Sequence, residues 1–351
     1  MDAMTLTVGF AYLLLGALCG GSFGLPSKYA PKGTPWEVLW GPFFLLITVV
    51  MPFALGPVLV KDFFAIFAAA GPAALVLPLV FGFLWGTGSM TLGLSFSMIG
   101  LSLAYSLNYG AQIVFGAVAP MAVFHPDRIL TAQGAVILAG VAVCVAGVIV
   151  AGRAAMLKER SLQPASGGPA SSAAGNQRMA FGVVLAIASG CLCACYILAA
   201  GFAGTIGKLA QEEFGNDSWR VSCAVAAVVL WGGSVSSCLY CLGQLTKNKT
   251  WTQFAAPGCG RVLLVALAMA FLHNGALFFL NLGFPLLGTL GESVGYASFM
   301  SFAIIVGNLH GFRTGEWKGA SRQSIGWIIA GIAVLILGVC VLGAGNATGV
   351  K

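Results

Sequence analysis

The sequence predicts an all-α polytopic membrane protein of about ten transmembrane helices, built as two inverted five-helix repeats. Three observations carry this reading. First, the 351 residues are 59% hydrophobic and 8% charged, with a mean hydropathy of +0.95, whereas a soluble domain carries about 25% charged residues. Second, apolar runs long enough to cross a bilayer recur along the chain, separated by Gly, Pro or charge. Third, a linker divides two halves whose sequences resemble one another.

Taken in order, the expected spans are 5–25, 36–60, 72–96, 101–123, 131–152, 179–206, 219–244, 260–284, 287–311 and 324–345. The first has no preceding Lys or Arg, so it reads as a retained span rather than a signal peptide. Lys61–Gly71 reads as interfacial or as a loop. Residues 153–178 contain Q-P-A-S-G-G-P-A-S-S and are expected to be a flexible cytoplasmic linker. Residues 1–152 and 179–351 then form the two repeats. Ala139–Gly152 and Ala330–Gly343 share their Gly and Ala positions at an offset of 191. Phe83, Leu84, Leu94, Phe96 and Gly100 match Phe271, Leu272, Leu282, Phe284 and Gly288 at an offset of 188. Five spans is an odd number, so similar halves insert with opposite orientation, an architecture of transporters.

Charge sets the expected topology. Twelve of the 17 basic residues fall on the side of loops 1–2, 5–6, 7–8 and 9–10. The positive-inside rule puts that side in the cytoplasm and both termini outside. The net charge of +7 is a topology signal, not a nucleic-acid one. Cys191, Cys193 and Cys195 read as packing residues, with no carboxylate or His beside them to complete a metal site. No G-x-x-x-x-G-K-[ST] run or H-E-x-x-H occurs, so neither an ATP-driven pump nor an enzyme is expected, and no cofactor.

Glu292 is the main candidate for chemistry. It is the only Asp, Glu, Lys or Arg between Arg261 and Arg313. A carboxylate at membrane depth costs roughly 3 kcal/mol and is by default a functional candidate, here for proton coupling. The competing reading places it near a helix end, reaching headgroups. In the fourth span Tyr105, Asn108, Tyr109 and Gln112 share one helical face. Amides bond hydroxyls and aromatic rings cover C–H surface, so the face suits a sugar; it equally suits interhelical hydrogen bonding. In the eighth span His273, Asn274 and Asn281 are polar, and the offset of 188 pairs His273 with Trp85, so these two are candidates to face one another across a central cavity. A lone His is as often a packing residue as a ligand. Lys28 reads as a snorkelling cation, with Glu37 near enough in sequence to pair with it.

Several patterns in order carry a family resemblance: F-G-L-P-S-K at 23–28, W-E-V-L-W at 36–40, G-F-L-W-G-T-G at 82–88, L-K-E-R at 157–160, and E-W at 316–317 before Arg322. Together they resemble the L-rhamnose–proton symporter family, within the drug/metabolite transporter superfamily. The resemblance implies a bacterial inner-membrane importer that couples a monosaccharide to protons, with an acidic residue at the place of Glu292. Its partners are then a small sugar, protons and the bilayer. The alternatives are a metabolite exchanger or exporter of the same kind, or a membrane-embedded enzyme or sensor. An exchanger of phosphorylated sugars would need basic residues in its spans, which are almost free of them.

Overall fold

The computed structural model describes residues 3–162, 169–287 and 296–348. Among the described residues it is helical throughout, without strands. The helices are α1 (Ala3–Ser22), α2 (Trp36–Leu45), α3 (Met51–Leu59), α4 (Phe63–Phe124), α5 (Ala132–Leu162), α6 (Pro169–Cys193), α7 (Cys195–Phe202), α8 (Gly204–Lys208), α9 (Ser218–Lys247), α10 (Cys259–Leu287), α11 (Tyr296–Arg313) and α12 (Arg322–Thr348). Among the described residues eight helical stretches are long and apolar enough to cross a membrane. The chain is therefore a polytopic membrane protein.

Eight stretches differ from the ten expected spans for two local reasons. The spans expected at 72–96 and 101–123 both fall inside α4, and the one expected at 287–311 includes 288–295, which lie outside the described residues. At 1.5 Å per residue, the 62 residues of α4 would make a rod of about 93 Å, three times the hydrocarbon thickness. It is not one rod. Gly71 and Gly100 adopt φ of +72° and +81°, a left-handed conformation that a right-handed helix cannot contain and that glycine takes without steric cost. Beyond Gly100 the N–H groups of Leu101 and Ser102 donate to the Glu316 carboxylate, at 2.7 and 3.0 Å. Backbone N–H groups capped by a carboxylate mark the start of a helix. Lys61–Gly71, read as interfacial or loop, is helical from Phe63.

The linker also differs from its expectation. α5 runs on through Arg153 to Leu162 and α6 begins at Pro169. The run A-A-M-L-K-E-R is rich in strong helix formers, and it is anchored. The Arg153 guanidinium lies 4.6 Å from the Trp327 ring centre and Lys158 Nζ 4.9 Å from that of Trp317. Such contacts hold a cation over a ring face by its quadrupole.

The chain divides into two compact units: Met1–Met90 with Leu192–Leu287, and Thr91–Cys191 with Gly288–Lys351. Each unit draws on both halves of the sequence. The first is packed by small residues that bring backbones together. A Cβ on Gly233 would stand 2.7 Å from the Trp85 ring, and one on Gly9 would stand 2.8 Å from Leu287. A buried cluster of Val60, Phe63, Ile66, Ile206, Val228 and Val229 fills one region. There the Asn216 amide holds both the N–H and the C=O of Lys61, at 2.8 and 3.1 Å, and Arg220 donates to the Leu59 carbonyl at 2.8 Å.

In the second unit α5 packs antiparallel to α12 along the two matching glycine-rich segments. A Cβ on Gly140 would stand 2.8 Å from Leu342, and one on Gly331 would stand 2.9 Å from Ala151. Adding the offset of 191 to Gly140 gives Gly331, and subtracting it from Leu342 gives Ala151, so the second contact is the image of the first. Gly147 against Leu335 and Gly338 against Cys144 are related in the same way. The sequence repeat is thus also a repeat of contacts.

Candidate functional site

Polar and aromatic groups gather in two places, one in each unit. In the first, the residue that follows α1 and side chains of α2 and α4 meet His273 of α10. The His273 ring meets Phe23 edge to face at 5.4 Å and Phe43 at 5.8 Å, and its centre is 5.9 Å from that of Trp85. Trp85 and His273, paired in the sequence only through the offset of 188, are therefore in contact. His273 Nδ1 is 3.4 Å from Asn274 Oδ1. The Asn274 amide in turn donates to Met51 Sδ, 2.8 Å away. Asn281, two turns further along α10, points its amide at Cys223 Sγ at 3.9 Å. Asn274 and Asn281 thus meet different neighbours, one on α3 and one on α9.

The backbone is irregular around this cluster. α2 joins α3 through a π-helical turn at Leu46–Val50, immediately before Met51. α6 gives way to α7 at Ala194, whose carbonyl takes the N–H of Ile197 at 3.0 Å. π-Turns and interrupted helices in membrane proteins persist where polar groups of the backbone or side chains serve a site. On α7, Tyr196 stands just beyond the interruption, its ring 6.1 Å from Trp85.

The second place lies along α4 in the other unit. Tyr105 and Tyr109 are buried with ring centres 5.3 Å apart, and Tyr105 also packs on Phe96 at 5.0 Å. Asn108 is fully enclosed. Its amide donates to Ser189 Oγ at 2.8 Å, and its carbonyl oxygen accepts from Gln112 at 2.6 Å. The expected stripe is therefore assembled, and Asn108 spends its bonding capacity on α6 and on the next turn of α4. Beside it runs a network the sequence reading did not anticipate. The Ser102 hydroxyl donates to Asn308 Oδ1, whose amide donates to Ser106 Oγ at 2.7 Å and to the Ile304 carbonyl at 2.8 Å. Glu316 completes the network through the backbone of Leu101 and Ser102. Asn308 was visible as a polar residue inside an apolar span. Nothing local announced that Glu316, 215 residues away, would cap Leu101.

Two further expectations concern carboxylates. Glu292 lies outside the described residues. Glu37 is not paired with Lys28: it is buried, and its Oε1 accepts from Asn248 at 3.0 Å and Thr250 at 2.8 Å. The left-handed Lys249 between them turns both donors toward it.

Comparison with known proteins agrees with this picture of a multi-pass membrane protein. The family model for the L-rhamnose-proton symport protein (RhaT) matches residues 2–348. The L-rhamnose-proton symporters of Enterobacter sp. (strain 638) and Cronobacter sakazakii are each 26% identical over 353 aligned positions, covering 98% of this chain and 99% of theirs. That of Klebsiella pneumoniae is 25% identical over the same share of both chains. No solved structure gives a significant match. The family consists of transporters, not enzymes. With a match that runs from the second residue almost to the last, the chain belongs to the L-rhamnose-proton symport protein family.

Proposed function

We propose that this chain imports a monosaccharide, L-rhamnose or a close relative, together with protons across a bacterial inner membrane. The single observation that carries this reading is the family match over residues 2–348. The geometry is compatible with it. His273, Trp85 and Asn274 bring an aromatic surface and two polar side chains together among apolar helices, the combination a sugar requires. We assign the sugar to this cluster, with Asn281 further along the same helix. Tyr105, Asn108, Tyr109 and Gln112 form a second polar and aromatic face, in which Asn108 chiefly holds α4 to α6 through Ser189.

In this reading the chain has ten spans. Gly100 separates two of them inside α4, and the ninth leads into α11. The halves 1–152 and 179–351 are inverted repeats, and alternating access moves them around a site at mid-membrane. The symmetric contacts of α5 and α12 support the repeat. The charge distribution places both termini outside and 153–178 inside. Contacts within each unit join loops that this charge count puts on the same side. Lys61 meets Asn216 on the outer side, while Glu37 meets Asn248 and Ser321 meets Ser161 on the inner side.

Glu292 is the proposed proton carrier, as the one carboxylate within the core of a span. Labelled L-rhamnose uptake into proteoliposomes, with and without an imposed proton gradient, tests the function. Gradient-driven accumulation is expected in the wild type and none with Glu292→Gln, which retains exchange. Accumulation by Glu292→Gln to the wild-type ratio would remove Glu292 from coupling. A wild type that moves no sugar under either condition would refute the importer itself.

A further inference from the structure

We infer that Tyr196 is a specificity-determining residue of the sugar site, its phenol hydroxyl bonding a hydroxyl of the bound sugar. The inference rests on the assignment of the sugar to the Trp85–His273 cluster. Three observations lead to it. Tyr196 extends the same aromatic wall, 6.1 Å from Trp85 at an interplanar angle of 63°, with Trp85 in turn 5.9 Å from His273. Span-forming segments from both halves of the sequence thus supply one wall. Second, Tyr196 occupies the first turn of α7, directly after the interruption at Ala194 in an otherwise continuous apolar stretch from Gln177 to Phe202. There the turn only tightens, Ala194 staying right-handed with its carbonyl accepting from the Ile197 N–H at 3.0 Å, and irregular turns within membrane spans are found at sites.

Third, Tyr196 and His273 are only partly buried, each keeping some accessible surface. Among the described residues the Tyr196 hydroxyl has no hydrogen-bond partner, and it is not among the polar atoms sealed away from solvent. Tyr196 and Cys223 pack against the same buried cluster, and Asn281 points its amide at the Cys223 thiol. A partly accessible phenol with its donor unused offers a bond to a ligand beside it. Within an apolar shell that bond discriminates strongly, because a ligand lacking the matching group leaves a buried donor unsatisfied. A 6-deoxyhexose fits the surroundings: its methyl group and ring C–H edges suit Trp85, and its hydroxyls suit Tyr196, His273 and Asn281.

The test uses the purified full-length chain in nanodiscs and measures L-rhamnose binding by calorimetry. Tyr196→Phe keeps the ring against Trp85 and removes only the hydroxyl. It is expected to raise Kd roughly three- to tenfold, the range of one neutral hydrogen bond, with its melting temperature unchanged. A series of monodeoxy L-rhamnoses then locates the partner. The wild type should penalise loss of one particular hydroxyl that Tyr196→Phe ignores. Equal Kd values for the two proteins, or equal losses across the whole deoxy series, would overturn the role of Tyr196 while leaving the sugar reading intact. A wild-type chain that binds none of these sugars would overturn both.

Discussion

The carboxylate of Glu316 offers the sharpest test of the architecture of the second unit. It bonds the first two N–H groups of the helix that starts after Gly100, at 2.7 and 3.0 Å. Replacing it by Ala leaves those donors without the acceptor that now satisfies them. Hydrogen bonds to a charged group are worth about 1.5–3 kcal/mol each, while loss of a capping side chain costs about 0.5–2 kcal/mol in measured helices. Because both bonds belong to one cap, the expected loss for Glu316→Ala is about 2–4 kcal/mol rather than the sum of two independent bonds. Gly100→Ala attacks the same joint from the other side. Its φ of +81° costs an L-residue about 1–2 kcal/mol, and its Cβ would stand 2.7 Å from Glu316 Oε2, displacing the carboxylate. In the Glu316→Ala background only the backbone part should remain. The double-mutant cycle should therefore show a coupling of about 1 kcal/mol or more. Unfolding in mixed micelles, followed by tryptophan fluorescence with Trp317 beside the cap, measures all four variants. A loss under about 0.5 kcal/mol for Glu316→Ala, or strict additivity with Gly100→Ala, would refute the capped break and leave α4 as a continuous helix.

Three further outcomes follow from particular contacts. Asn216→Ala removes an amide that makes three bonds to backbone groups of Lys61 and Ala210; it should destabilise by about 2–3 kcal/mol, as expected when buried backbone groups lose their partners, and unfolding of the purified variant checks this. Gly338→Val should cost about 3 kcal/mol, the upper end for overpacking, because a Cβ at 338 would stand 2.5 Å from Cys144 Sγ and 2.8 Å from its backbone nitrogen. Leu337→Val, at the exposed neighbouring position, should cost about 0.5 kcal/mol or less, and thermal melting ranks the two. A single cysteine at Ser172 in a cysteine-free chain should resist impermeant maleimide added to intact cells, and rapid labelling from outside would reverse the topology.

What the sequence revealed and what it hid divide along a physical line. Periodicity and composition are local or additive properties, and they disclosed an all-helical membrane protein and the shared face of Tyr105, Asn108, Tyr109 and Gln112. The repeat carried long-range information as well. Because Trp85 and His273 share an offset with their neighbours, the sequence paired them, though as residues facing across a cavity, whereas their rings lie 5.9 Å apart. Bonds between residues that are not repeat-related left no such trace. Asn108 finds Ser189 across 81 residues and Glu37 finds Asn248 and Thr250 across more than 200. Sequence proximity suggested Lys28 for Glu37 instead, because charge is easy to see in a sequence and a neutral donor is not.

The same distinction explains why the helix ends carry so much of the unexpected chemistry. In an apolar medium every backbone group must find a partner, so an interrupted helix exposes groups that some side chain has to satisfy. At Gly100 the solution is a carboxylate that takes two N–H groups at once. At Lys61 it is a neutral amide that takes one N–H and gives one N–H to a carbonyl. The interruption at Ala194 is different in kind: there the polar group beside the break is the Tyr196 hydroxyl, and among the described residues it serves no backbone group. The joints at Gly100 and Lys61 are closed by the protein's own side chains, whereas in the reading proposed for Tyr196 the tightened turn at Ala194 stands beside an unused donor. On that reading the contrast is what a site needs, since a joint already closed by internal bonds has nothing to offer a substrate, and an unused donor gains a bond only when the substrate is present.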